Sequence, residues 1–308
     1  MNRRRFINTM GYFTTTAVVA GCVTVPSRRA DAEACSPLAS GVQLFTVREG
    51  LQKDVAGTLA RLAQIGIREA ELFGLTGGPD AKVFGLQPAE FAAIARDNGI
   101  STPFSHIDGT LTNIGPTAEL AHQLGVNTVV IAAPTSFAQM RNGRFTLVPP
   151  ESLAQLDKLA ESLNAAAREY KALGLTFGYH NHHVEFMPVE HVVAYDYLME
   201  KTDPALVLIE MDLGWLASMG LDPVAYLQRY AGRVLACHMK DFDPDVVTDE
   251  PARQLFAPGS GKTDFASVLA TMQSIGAGHG FIEIDVSDDP FGAIASGHRH
   301  LAGLLGCA

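Results

Sequence analysis

The stretch Thr58-Leu59-Ala60-Arg61-Leu62-Ala63-Gln64-Ile65-Gly66-Ile67-Arg68-Glu69-Ala70-Glu71-Leu72-Phe73 contains one whole structural unit. Leu59, Leu62 and Ile65 recur at the spacing of a helix that packs one apolar side on a sheet. Gly66 supplies the left-handed residue that ends such a helix. Ile67–Phe73 then reads as a short strand carrying Glu69 and Glu71 near its end.

Working outward, the same alternation recurs eight times. The strand candidates are Gly41–Val47, Ile67–Phe73, Ile100–His106, Asn127–Ala132, Leu175–His182, Ala205–Asp212, Arg233–Lys240 and Gly280–Val286. Helical stretches separate them; Leu153, Leu156, Leu159 and Leu163 repeat the apolar spacing, and Gly99, Gly125 and Gly174 repeat the glycine stop. Alternating strand and helix implies a mostly parallel sheet. Eight such units in roughly 265 residues match a closed (β/α)8 TIM barrel of ~250 residues better than an open doubly wound sheet.

Composition narrows the function. The 308 residues are 47% hydrophobic and 18% charged, which is ample material for a core. The 33 acidic side chains against 23 basic ones give a net charge of −10, opposed to nucleic acid as a partner, since duplex binding needs Lys and Arg against phosphates. Four Cys without a Cys-x-x-Cys pair exclude a zinc ribbon.

The first residues have their own pattern. Met1-Asn2-Arg3-Arg4-Arg5-Phe6-Ile7 precedes an uncharged run from Ile7 to Gly21, the layout of an export signal. Arg3-Arg4-x-Phe6-Ile7 resembles a twin-arginine signal, which places the protein in the periplasm or cell envelope. Val19-Ala20-Gly21-Cys22 resembles a lipobox with a lipid anchor on Cys22, whereas Ala30-Asp31-Ala32 and Ala32-Glu33-Ala34 suit ordinary cleavage; both readings stand. Residues 1–34 are the expected signal and 35–308 the barrel. The signal carries five Arg against Asp31 and Glu33, a net +3, which leaves −13 on the barrel. Export also favours a disulfide, and a Cys35–Cys307 pair is open.

Barrel enzymes place their chemistry at the C-terminal ends of the strands. There this sequence has Glu71, His106, His180 with His182, Glu210 with Asp212, His238 with Lys240, and Glu283 with Asp285. Alternation along a strand turns His180 with His182, His238 with Lys240, and Glu283 with Asp285 to one side. Carboxylates gathered in a barrel mouth are costly without a compensating cation, so an acid and imidazole cluster favours one divalent metal. Mixed nitrogen and oxygen donors suit Mn²⁺, Fe²⁺, Co²⁺ or Zn²⁺, with Mg²⁺ left open, rather than Ca²⁺.

Five motifs carry a resemblance: Gly41-Val42-Gln43-Leu44-Phe45-Thr46-Val47-Arg48, Tyr179-His180-Asn181-His182-His183-Val184-Glu185-Phe186, Met211-Asp212-Leu213-Gly214-Trp215, His238-Met239-Lys240-Asp241 and Gly259-x-Gly261-x-x-Asp264-Phe265. Together they resemble the sugar phosphate isomerase/epimerase family, whose fold is the xylose isomerase-like barrel. The resemblance implies one divalent metal and acid/base chemistry on the carbon beside a sugar carbonyl. Asp212, His238 and Glu283 match the family's metal ligands on strands 6, 7 and 8. Strand 5 departs from the pattern: His180 stands where many members have a Glu that also moves a proton. The implied ligand set is therefore His180, Asp212, His238 and Glu283, with His182 or Glu185 taking the proton-transfer role.

The expected reaction is isomerisation or epimerisation of a small sugar through an enediolate. The alternative is a lyase or hydratase that eliminates at a keto glycoside. Lys240 is the expected oxyanion partner, Glu71 and His106 hold substrate or relay protons, and Trp215 stacks on a sugar face. From another class comes an envelope barrel that binds sugars without turning them over. Pro258-Gly259-Ser260-Gly261-Lys262-Thr263 lacks the first glycine of a P-loop and reads as an ordinary connection.

Overall fold

Phe104, Val130, Ala236 and Phe281 form a small buried cluster of their own, one from each of four strands. They fill the inside of a barrel. The computed structural model describes residues 36–141 and 144–307. The barrel strands are β1 Gly41–Gln43, β2 Glu69–Leu75, β3 Ser101–Ile107, β4 Thr128–Ile131, β5 Thr176–His180, β6 Val207–Asp212, β7 Val234–Met239 and β8 His279–Ile282. Each pairs in parallel with its sequence neighbours, and β8 closes on β1 with Gly41 opposite Phe281.

The helices around it are α1 Val55–Ile65, α2 Pro88–Asp97, α3 Ile114–Leu124, α4 Leu153–Ala172, α5 Ala194–Lys201, α6 Pro223–Arg229, α7 Phe265–Ile275 and α8 Pro290–Leu305. Their ends follow from local chemistry. Asp54 starts α1 by accepting the Gly57 N–H at 2.9 Å, and Gly66 stops it at φ 113°, where a Cβ would be strained. Ser152 caps α4 by accepting from Gln155. Leu59 and Leu62 of α1 and Leu156, Leu159 and Leu163 of α4 turn inward and are buried. Each such side chain contributes about 1.5–3 kcal/mol through its removal from water.

Three strands, β1, β5 and β8, end two or more residues before the expected point, and side chains stop each of them. After β1, Gln43 accepts the Phe45 N–H at 3.0 Å and residues 44–47 tighten into a 3-10 turn. After β5, Glu185 accepts the His182 N–H at 3.2 Å, so His182 lies in the loop rather than on the strand. After β8, the Ile284 N–H donates to Thr46 Oγ1 at 3.0 Å instead of continuing the ladder. A hairpin, Ala138–Arg141 with Arg144–Leu147, stands between β4 and α4 and had no sequence signal.

The segment after β7 is a connection to α7, as expected. Its amides form an anion nest filled by the chain itself: Gly259, Gly261 and Thr263 donate to the Asp241 carboxylate at 2.9, 2.7 and 2.9 Å. The expected export signal, its expected cleavage sites and the expected lipid anchor at Cys22 fall outside the described residues, as does Cys35. Cys307 is disulfide-bonded, and Cys237 is a buried free thiol.

Candidate active site

Two residues above the apolar plug, the inward positions become polar. Phe104 is followed by His106, Ala236 by His238 and then Lys240, and Phe281 by Glu283. His180 ends β5, and Glu210 and Asp212 share one side of β6. Asp212 Oδ1 caps the short helix Leu213–Ser218 through the Trp215 N–H at 3.0 Å, which turns Oδ2 into the mouth. Asn181 and Asp212 exchange two hydrogen bonds, Asn181 Nδ2 to the Asp212 carbonyl at 3.2 Å and the Asp212 N–H to Asn181 Oδ1 at 3.0 Å. That exchange clips the ends of β5 and β6 together.

Glu71, Glu210, Asp212 and Glu283 are buried here with His180, His238 and Lys240. Lys240 Nζ lies 2.9 Å from both Asp212 Oδ2 and Glu283 Oε2 and 2.8 Å from Asp285 Oδ2. Burial opposes its charge, but Asp212, Asp285 and Glu283 outweigh that and hold the amine well above its ordinary range. One ammonium does not neutralise this many carboxylates. Burial pushes Asp212 up to about 6 against the pull of Lys240 and His238, and burial together with the charge of Glu210 pushes Glu71 up to about 7. Glu210 goes the other way: burial is overcome by His238 and His106, and its carboxylate stays ionised.

The imidazoles are held in defined states. Burial and His238 push His180 down to about 3, so its ring is neutral. His180 Nδ1 lies 3.1 Å from Glu210 Oε2, an acceptor, and therefore carries the proton. Nε2 is left with its lone pair, 3.6 Å from Asp212 Oδ2, an oxygen that also meets the Lys240 ammonium at 2.9 Å. On the far side His238 places Nδ1 2.7 Å from Glu283 Oε2 and 3.8 Å from Asp212 Oδ2, with Nε2 2.7 Å from Glu71 Oε2. Two electron-rich atoms facing each other in a buried site, beside a second imidazole and a second carboxylate, form a donor set that fits a divalent cation. Asp212, His238 and Glu283 bring ligand atoms within 4.8 Å of one another, and so do His106, His180, Glu210 and His238.

Above these groups opens a cavity of about 660 Å³. Phe45 and Phe73 line one wall, edge to face at 5.4 Å, and Trp215 with Leu147 of the hairpin lines others. His182, His183, His106, Glu283 and Asp285 also reach it. His182 Nδ1 and Trp215 Nε1 are buried without a hydrogen-bond partner. Burial, with His180 and Lys240, holds the His182 ring well below its ordinary range and so neutral.

The structure thus brings together His180, Asp212, His238, Glu283, Lys240, His182, His106 and Trp215. Two expectations shift. Glu71 is fully buried beneath His238 and does not line the cavity, so it touches a ligand candidate rather than substrate. Glu185 spends both oxygens locally, accepting from Tyr179 Oη at 3.0 Å and from the His182 N–H, and it too stands off the cavity. Its geometry is that of a residue that holds the loop. Sequence reasoning passed over Glu210 as a working residue, and Asn181 and Asp285 with it. Glu210 had a signal, since it stands two residues before Asp212 on the same face.

Comparison with known proteins agrees with the barrel fold. An inosose dehydratase of Geobacillus kaustophilus is 32% identical over 148 residues, 44% of this chain and 47% of that protein. The chain spans about half the length of such curated relatives. A sugar phosphate isomerase/epimerase of Parabacteroides distasonis shares the fold with a TM-score of 0.70 at 22% identity, over 84% of this chain and 96% of the other. A xylose isomerase-like barrel protein of Mycobacterium smegmatis, solved in complex with magnesium, superposes with a TM-score of 0.61 at 14% identity, over 87% and 96% of the two chains. The family model described as the xylose isomerase-like TIM barrel matches residues 59–304, and with the strands closing as they do around a polar mouth, the chain belongs to that family.

Proposed function

We propose that this protein is a divalent-metal-dependent lyase that removes a proton beside the carbonyl of a polyhydroxylated keto substrate and expels an oxygen substituent one carbon further on. The observation that carries this reading is His182: a neutral imidazole with an unpartnered Nδ1, on the cavity wall, its ring 5.0 Å from that of the ligand candidate His180. Dehydratase relatives and the magnesium-bound neighbour are consistent with it.

His180 through Nε2, Asp212 through Oδ2, His238 through Nδ1 and Glu283 would hold the cation, with the His238 nitrogen giving up its proton on loading. Bound there, the metal supplies Lewis-acid polarisation of the carbonyl and a neighbouring hydroxyl. His182 takes the proton from the carbon between them, and the C–H electron pair enters an enediolate. Lys240 offsets the negative charge that develops on oxygen. As the enediolate collapses, the C–O bond to the β substituent breaks, and the proton held by His182 goes to the departing oxygen. Loss of a hydroxyl in this way releases water. Trp215 presents an aromatic wall to the sugar carbons.

A second reading, isomerisation or epimerisation, uses the same first step and returns the proton to carbon. What favours it is His106, a second imidazole that reaches the cavity. Incubation with keto-inositols and keto-sugars in D₂O, followed by mass spectrometry, separates the two. Loss of 18 mass units supports the lyase; a deuterated isomer of unchanged connectivity supports the epimerase. No proton exchange and no product with any such substrate would sink both.

A further inference from the structure

Glu71, His106 and Glu210 have no task in the elimination proposed above, yet the two carboxyl groups are among the most deeply buried of the site. Geometry joins them. His106 Nε2 lies 2.7 Å from Glu210 Oε2 and 3.3 Å from Glu71 Oε1. Glu210 Oε2 also accepts from His180 Nδ1 at 3.1 Å, and Glu71 Oε2 accepts from His238 Nε2 at 2.7 Å. On both ligand imidazoles, then, the ring nitrogen turned away from the Asp212 side ends on a carboxylate. One imidazole from β3 spans those two carboxylates, which come from β2 and β6.

We infer that Glu71, His106 and Glu210 form a positioning bridge that fixes the tautomer and ring plane of the two imidazoles, His180 and His238, that hold the cation. This rests on the metal reading above. An imidazole ligates with one nitrogen only if its proton sits on the other, and a carboxylate fixed behind the ring enforces that choice. Here both enforcing carboxylates are buried side by side, so each needs something cationic or donating between them. His106 is in that place, and its ring is braced by parallel stacking on His238 at 5.3 Å and 8°. Its contact with Glu71 and Glu210 couples the two ligand rings: a shift of either carboxylate moves both. Glu71, His106 and Glu210 are therefore positioning residues, acting through the ligands.

The test is Mn²⁺ binding to the full chain by titration calorimetry, with the visible spectrum of the Co²⁺ form as a second readout and the melting temperature of the metal-free protein as a control for folding. Outer carboxylates of this kind are worth about 10–100-fold in metal affinity. His106→Phe, which keeps a flat ring without nitrogen, and Glu210→Ala are expected to bind Mn²⁺ about 10–100-fold more weakly and to alter the Co²⁺ spectrum. Glu210→Gln keeps an acceptor for the His180 N–H at the same volume, and it should recover most of the loss and remain folded if Glu210→Ala does not. Wild-type affinity and spectrum in His106→Phe, with only KM raised, would overturn the bridge and leave the metal reading standing. Absence of any Mn²⁺, Co²⁺ or Zn²⁺ binding in the wild type would overturn both.

Discussion

His180 Nε2 faces Asp212 Oδ2 across 3.6 Å, and neither atom has a proton to offer the other. The Lys240 ammonium already meets Asp212 Oδ2 at 2.9 Å, and a divalent cation bound between the two atoms would satisfy the His180 lone pair as well. Prolonged dialysis against a chelator should therefore abolish turnover, and Mn²⁺ or Co²⁺ should restore it. Metal at 100 times its dissociation constant should also stabilise the fold by about 2.7 kcal/mol, read as a rise in melting temperature. Activity that survives complete removal of metal would count against the proposed chemistry.

His182→Gln should separate binding from chemistry. The variant keeps the ligand set intact, so its metal content should match the wild type, whereas losing the base should lower kcat by about 10²–10⁴-fold. A parallel loss of metal would move His182 from proton transfer to ligation.

The pH profile follows from the same residue. Burial holds the His182 ring neutral well below the ordinary imidazole range, so the base is available at any pH above that lowered value. The acid limb of kcat should accordingly fall well below pH 6.5, not at it. Stability moves in the matching direction. Below pH 6.5 the unfolded chain takes up a proton at this position that the folded chain does not, so acid destabilises the fold. An acid limb centred at 6.5 would show that a solvated imidazole does the work.

Glu185 has a structural prediction. Burial pushes its carboxyl up to about 7, and its oxygens accept from Tyr179 and the His182 amide. Glu185→Ala strands both donors, and should cost about 1–3 kcal/mol by denaturant unfolding. It should also lower turnover without releasing metal, because the loop that carries His182 loses its anchor. If stability is unchanged, the loop is held by something else.

Much of this was legible before any coordinates. The βα period gave the barrel because each helix shows its apolar side at a spacing that only packing on a sheet explains, and glycines such as Gly66 and Gly125 mark the returns. The ligand candidates were legible for the related reason that strands turn alternate residues to one side, which groups His238 with Lys240 and Glu283 with Asp285. What escaped depended on contacts distant in sequence. Glu185 reads as a proton-transfer residue until Tyr179 and the His182 amide are seen to occupy it. Glu71 reads as a substrate residue until His238, 167 positions away, is found on its carboxylate. The strand ends were misjudged for both kinds of reason: Gln43 diverts the Phe45 N–H two residues on, whereas Thr46 takes the Ile284 N–H from 238 positions away.

The most direct measurement is elemental analysis of purified wild-type protein beside Asp212→Ala, with turnover assayed on the same samples. The proposed chemistry requires about one equivalent of a divalent metal in the wild type, and loss of both metal and turnover in the variant, whose missing carboxylate leaves His180 Nε2 facing nothing. Full turnover in Asp212→Ala, or an active wild type free of metal, would contradict it.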